Sequence, residues 1–277
     1  MELNRRNLLC GLGGLAVGGS IAALGGQCFA ADEPKAPKRF EQVGGDFGWK
    51  PQKLDPTECA KVAYEAYWYK GYACGYGVFY GIVGVMGEKF GAPYNQFPFT
   101  MFEFLKGGIS NWGTICGALG GAAAAYALFY GRKERNAMVN ELYRWYEKTS
   151  LPIFNPGETA QGVKGEIPAS VSEAVICHIS VSKWCATYNE EATGKKRSER
   201  CGRLTADVCA KAVTILNAKI DAGTEYKGAI GVQDSVKSCG ECHHAKGGEA
   251  NWGKGVLNCT PCHDGRKAVQ SKFTNHP

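Results

Sequence analysis

Strict alternation of apolar and polar residues, the mark of a half-buried strand, is missing along the whole 277-residue chain, which excludes a sandwich or barrel and predicts a mainly α fold. An arginine run and a basic helix are missing too. The formal charge is +6; residues 1–30 hold two Arg and one Glu, so the remainder sets 30 Lys and Arg against 25 Asp and Glu, or +5. That mild excess excludes a surface that tracks nucleic-acid phosphates. No Ser/His/Asp set, Cys/His nucleophile or phosphate loop stands out. Gly75-Tyr76-Gly77 resembles the opening of a dinucleotide fingerprint, but no strand precedes it, so helix packing explains it better. Methionine is scarce beyond the N-terminal region, at Met86, Met101 and Met138, and histidine is confined to His178, His243, His244, His263 and His276. Charge is absent from residues 107–131, yet this run contains Ser110, Asn111, Thr114 and seven Gly, which favours a buried helix over a membrane span.

Cysteine is plentiful. Of thirteen, Cys10 and Cys28 lie in a segment built like an export signal: Arg5-Arg6, a Gly-rich weakly apolar stretch to Gly26, then Cys28-Phe29-Ala30. The paired arginines favour the twin-arginine type, cut after Ala30, over an uncleaved anchor, for which seven glycines are poor material. The expectation is a periplasmic protein with no stable membrane span in its mature chain. Four more cysteines sit near the C-terminus; seven remain, at 59, 74, 116, 177, 185, 201 and 209. An odd number cannot all pair in disulfides.

Residues 31–56 have the composition of an extended arm. Helices are predicted from Thr57, as cap, through Tyr64, Tyr67 and Trp68; over about 73–87; over Arg132 to Thr149, with Met138, Leu142, Trp145 and Tyr146 on one side; and near 169–188 and 197–219. Pro152 ends the third, and 151–168 is a loop. Cys177 and Cys185 on one helix, and Cys201 and Cys209 on the next, stand eight apart, close to two turns, and are expected along one face. Residues 31–226 thus form a helical cysteine-rich domain and 227–277 a loop-rich tail that needs a cofactor to organise it.

That tail contains Cys239-Gly-Glu-Cys242-His243 and Cys259-Thr-Pro-Cys262-His263. The four cysteines have a spacing that a tetrahedral zinc site would accept. Each pair, however, is followed at once by His, as c-type haem attachment requires: two thioethers tether the porphyrin and the adjacent imidazole takes the iron. A four-thiolate zinc site has no use for His at that point twice. Two covalent haems are therefore expected, with His243 and His263 proximal. With no Met in the tail, bis-His coordination is the economical choice, and His244, His178 and His276 are the distal candidates. His244 cannot serve the haem bound by its neighbour His243, so it must reach the other haem or a second subunit's; a propionate-binding or solvated role is the alternative. His178, beside Cys177 on an apolar helix, reads equally as a core histidine.

Cys74, the run Cys116-Gly-Ala-Leu-Gly-Gly121, the run Cys177 to Cys185 and Cys201-Gly-Arg-Leu-Thr-Ala-Asp207, together with the two haem motifs, resemble the split-Soret cytochromes c, a dihaem family of anaerobic bacteria; the helical part resembles the wider C_GCAxxG_C_C family. Ile115 and Gly117 depart from that pattern. The resemblance implies a homodimer, two bis-His haems per subunit in close contact, an axial ligand crossing between subunits, and a non-haem iron site of iron–sulfur type. Four of Cys74, Cys116, Cys177, Cys185 and Cys201 would bind it, with Cys59 and Cys209 less suited; disulfides plus a free buried Cys are the alternative. The function expected is electron transport to and from a redox partner protein. The rivals are a reductase of a small substrate acting at a haem or cluster, and a zinc-stabilised binding module.

Overall fold

The computed structural model describes residues 48–231, 233–243 and 254–263. The export signal, most of the arm, His244 and His276 lie outside the described residues.

The fold is mainly α, with eight α-helices and one two-stranded ladder among the described residues. Helix α1 spans Pro56–Trp68. Its cap is Asp55 and not Thr57: the Asp55 carboxylate accepts the Glu58 N–H at 2.8 Å, and Pro56, with no N–H to satisfy, opens the first turn. The second predicted helix is one helical rod in three pieces: α2 (Ala73–Phe79), a π-helical stretch (Tyr80–Gly84) and α3 (Val85–Phe90). The uncharged run becomes helix α4 only over Gly117–Phe129. Ala118, Ala122 and Ala125 are buried, and a Cβ on Gly121 would meet the Gly75 carbonyl oxygen at 2.4 Å, so small residues let α4 lie directly on α2. No helix among the described residues is long and apolar enough to cross a membrane.

Helix α5 (Arg132–Lys148) buries Met138, Leu142 and Tyr146, as its periodicity predicts. It ends before Pro152, at a strand β1 (Ser150–Leu151) that pairs antiparallel with β2 (Ser170–Val171). That ladder occupies the predicted start of the next helix, so α6 begins later, at Cys177, and runs to Tyr188. Helix α7 (Lys195–Ala222) packs against α1, α2, α4 and α5 and carries Leu204, Val208, Val213 and Leu216 into the shared core. Each such fully buried side chain stabilises the fold by roughly 1.5–3 kcal/mol. The tail is not all loop: α8 (Asp234–His243) holds the first Cys-x-x-Cys-His unit.

Candidate metal and haem centres

Four thiols from four separate segments line one cavity of about 440 Å3: Cys74 near the start of α2, Cys116 capping α4, Cys177 opening α6, and Cys201 on α7. Local pairing explains two of these positions. Ile115 and Ile176 form an isolated antiparallel bridge; the Cys116 N–H donates to the Val175 carbonyl (2.8 Å), and the Cys177 N–H to that of Thr114 (2.6 Å). The N-termini of α4 and α6 are thereby pinned together, each with a sulfur where anionic charge is favoured. A third relation fixes the spacing between α2 and α4. A Cβ on Gly117 would lie 1.8 Å from the Leu105 carbonyl oxygen and 2.7 Å from the Cys74 sulfur, so only glycine fits after Cys116.

Cys74 lies within reach of both the Leu105 carbonyl (3.5 Å) and Cys116. The hydrogen bond from Cys74 lowers the Cys116 thiol to about 6; burial opposes this, while the Tyr146 hydroxyl and the N–H groups of Ala118 and Leu119 add to it. Cys74 itself moves well above the ordinary thiol range, through that same hydrogen bond and then burial. Burial, with the charges of Cys116 and Cys201, pushes Cys177 up to about 12.

Cys185 stands apart from the cavity, in a satellite cluster with Ile167 and Trp184. Cys209 is enclosed in the core beside Cys59. Of each pair eight apart, only the first thiol lines the cavity: eight residues overshoot two turns by about 80°, enough to turn the second off its wall, although Cys201 and Cys209 still pack on the same main core. His178 lines the cavity, its backbone N–H donating to the Gly113 carbonyl at 3.0 Å.

Sequence reasoning missed the polar wall of this cavity. Arg200 is 1% exposed; its Nη2 donates to Ser180 Oγ (3.0 Å), its Nη1 lies 3.9 Å from Cys201 Sγ, and its Nε has no hydrogen-bond partner. Ser180 Oγ lies 2.9 Å from the Tyr146 hydroxyl. Arg197 lines the same space. The signal was present as Arg197-x-x-Arg200-Cys201, one helical turn ending at a cysteine. Among the described residues no three His, Cys, Asp or Glu side chains converge at ligating distance on one ion. Thiols spread around a cavity whose wall holds a cation with no carboxylate partner among the described residues fit an anionic group with volume of its own, as an iron–sulfur cluster is.

In the tail, residues 239 and 242 stand one turn apart on α8. The second motif adopts a helical turn by itself: the N–H groups of Cys262 and His263 both donate to the Cys259 carbonyl, at 3.2 and 2.9 Å. Each unit so has the one-turn form that lets a cysteine pair and the next histidine address one porphyrin, and the residues present fit covalent haem. The two units also come close, with the Cys259 thiol directed at the Cys239 sulfur. Buried Asn258 joins them to the helical body, donating to the Glu173 carbonyl at 3.1 Å and lying 3.2 Å from Ser235 Oγ. Arg144 donates to the Val256 carbonyl, and Gln233 to the buried Glu147 at 2.6 Å. A second cavity, about 570 Å3, opens at this junction between Glu147, Glu173, Gln233 and Asn258.

Residues 72–215 match the family described as "Putative redox-active protein (C_GCAxxG_C_C)". Over its full length the chain is 64% identical to "Split-Soret cytochrome c" of Desulfovibrio desulfuricans (strain ATCC 27774 / DSM 6949 / MB), covering all of both chains. A solved structure described as "A novel iron centre in the split-Soret cytochrome c from Desulfovibrio desulfuricans ATCC 27774" superposes with a TM-score of 0.81 at 67% identity, over 86% of this chain and 100% of the other.

Proposed function

Because the chain belongs to the split-Soret cytochrome c family and carries its C_GCAxxG_C_C domain, we propose that it is an electron-transfer protein with two covalent haems and a non-haem iron–sulfur centre. When bound, these groups supply reversible one-electron chemistry. Cys239 with Cys242, and Cys259 with Cys262, anchor the two porphyrins, and His243 and His263 take their irons. His244 and His276 are assigned as distal ligands, from the same or a second subunit of a homodimer, since His178 lies on the wall of the thiol cavity. Cys74, Cys116, Cys177 and Cys201 hold the iron–sulfur centre, and Cys185 does not.

The observation that carries this reading is that each Cys-x-x-Cys-His unit has a helical one-turn form and that Cys239 of one lies close to Cys259 of the other, which supports two haems held near each other. The helical body positions them through Asn258, Arg144 and Gln233, and Cys74 and Cys116 form the buried inner wall of the thiol cavity. An exported chain of this kind would exchange electrons with a periplasmic partner protein. The rival class, a reductase with a vacant iron position, is separated by an optical test. Fully ligated haems leave the native bands unmoved on prompt addition of CO or nitrite, whereas an immediate band shift would overturn the carrier assignment.

A further inference from the structure

We infer that Arg200, assisted by Arg197, is a positioning residue for the thiol cavity: a fixed cationic wall that stabilises the reduced form of the centre held there and raises its reduction potential. The inference rests on the iron–sulfur reading above. It starts from an imbalance among the buried cations. Arg203 has Glu199 at 2.7 Å, Arg144 has Glu147 at 2.6 Å, and Lys219 has Glu134 at 2.6 Å. Arg200, as deeply buried as any of them, has no carboxylate within ion-pairing distance among the described residues. Asp207, a carboxylate that feels its charge, is turned to the N–H groups of Ile153 and Phe154.

Burying a cation without an anion is unfavourable, because the desolvation is not offset by a paired charge. Among the described residues, the groups facing Arg200 that could become anionic on binding a metal are sulfurs: Cys201 at 3.9 Å, with Cys116 across the cavity. Tyr146 and Ser180, on the same cavity wall, hold the guanidinium through linked hydrogen bonds and supply no carboxylate. Arg197 is half-buried and holds its Nε on the Ala192 carbonyl at 2.5 Å, and it too lies close to Cys201. Reduction adds one electron, supplied by a partner or by electrode mediators, and makes or breaks no bond to either arginine. It increases the negative charge of the centre, so a fixed positive charge favours the reduced state. The same wall disfavours a neutral occupant, because the guanidinium would then be left unpaired.

The test uses holoprotein purified anaerobically, with Arg200→Gln, Arg200→Lys and Arg197→Gln beside the parent. Non-haem iron per haem is measured first; a parent without it overturns the iron–sulfur reading itself, whatever the arginines do. Redox titration followed by electron paramagnetic resonance then reads the centre. For R200Q the ratio of reduced to oxidised centre at a fixed potential is expected to fall about tenfold, a shift of about 59 mV for one electron. R197Q is expected to shift the same way by less and R200K to stay near the parent, with haem midpoints moving less than the centre's. Loss of iron from R200Q with retention in R200K supports the same dependence on charge. Should R200Q not fold, R197Q and R200K decide. Unmoved potentials in R200Q and R197Q, or an R200K as perturbed as R200Q, overturn the inference.

Discussion

The thiol of Cys74 hydrogen-bonds Cys116, joining the start of the helical rod Ala73–Phe90 to the N-terminus of α4. With Cys177 and Cys201 the pair lines one cavity that Cys185 does not enter. Replacing any of the four by Ser is expected to bring non-haem iron per haem to background, while C185S and C209S retain the parent value. Iron analysis against haem absorbance checks this; iron lost equally from C185S would move the site.

The glycine after Cys116 makes that pairing possible. Gly117→Ala drives a methyl to 1.8 Å from a backbone carbonyl, a contact that only movement of the 105 segment or of α4 relieves. Overpacking of this kind costs about 1–3 kcal/mol. Urea denaturation followed by circular dichroism is expected to show that loss, together with a weakened iron signal; an unchanged midpoint would contradict the packing.

A second buried group fixes the loop between the short strands. Glu199 pairs with Arg203, accepts the Tyr64 hydroxyl at 2.9 Å, and accepts the Gly162 N–H at 3.0 Å. Glu199→Ala leaves Arg203 buried and unpaired, and is expected to cost about 3–5 kcal/mol. Tyr64→Phe deprives the Gln161 N–H of its acceptor, at a cost of about 1–3 kcal/mol. Denaturant midpoints order the two variants; Y64F equal to or worse than E199A would contradict this account.

Asp207 gives a pH signature. Burial lifts its carboxyl from 3.8 to about 6, against the pull of the Ile153 and Phe154 N–H groups and of Arg200. The folded chain therefore binds more protons at this site than the unfolded chain between those values. Its contribution to stability is fully present below the unfolded pKa and is lost as pH rises through about 6, a change of about 2–3 kcal/mol. Comparing urea midpoints of the parent and Asp207→Asn at about pH 4 and about pH 7 isolates this term, which D207N is expected to lack. Parallel pH profiles would remove Asp207 as its source.

The helices whose signal is local were legible in the sequence: α5 shows a polar face and the apolar series Met138, Leu142 and Tyr146, and its observed span follows. The start of α6 was not legible, because the bridge from Ile115 to Ile176 and the ladder from Ser150 to Val171 pair segments far apart in the chain. Helix α8 was hidden by Gly240, Cys and His, weak helix formers that are chosen for attachment. The five candidate thiols could be named from the resemblance to the C_GCAxxG_C_C pattern, but which of them meet depends on how α2, α4, α6 and α7 converge. Arg200 could be seen as a charge on a helix; that it is buried without an acid is tertiary information. The two Cys-x-x-Cys-His units needed no structure to be found, since their chemistry is written into consecutive residues.

The central claim is tested most directly by counting covalent haem on the denatured chain, from the pyridine haemochrome spectrum and a haem stain on a denaturing gel. Two haems per chain are predicted, falling to one when Cys239 and Cys242 are both replaced by Ser and to one when Cys259 and Cys262 are. A colourless chain that retains zinc would contradict the account.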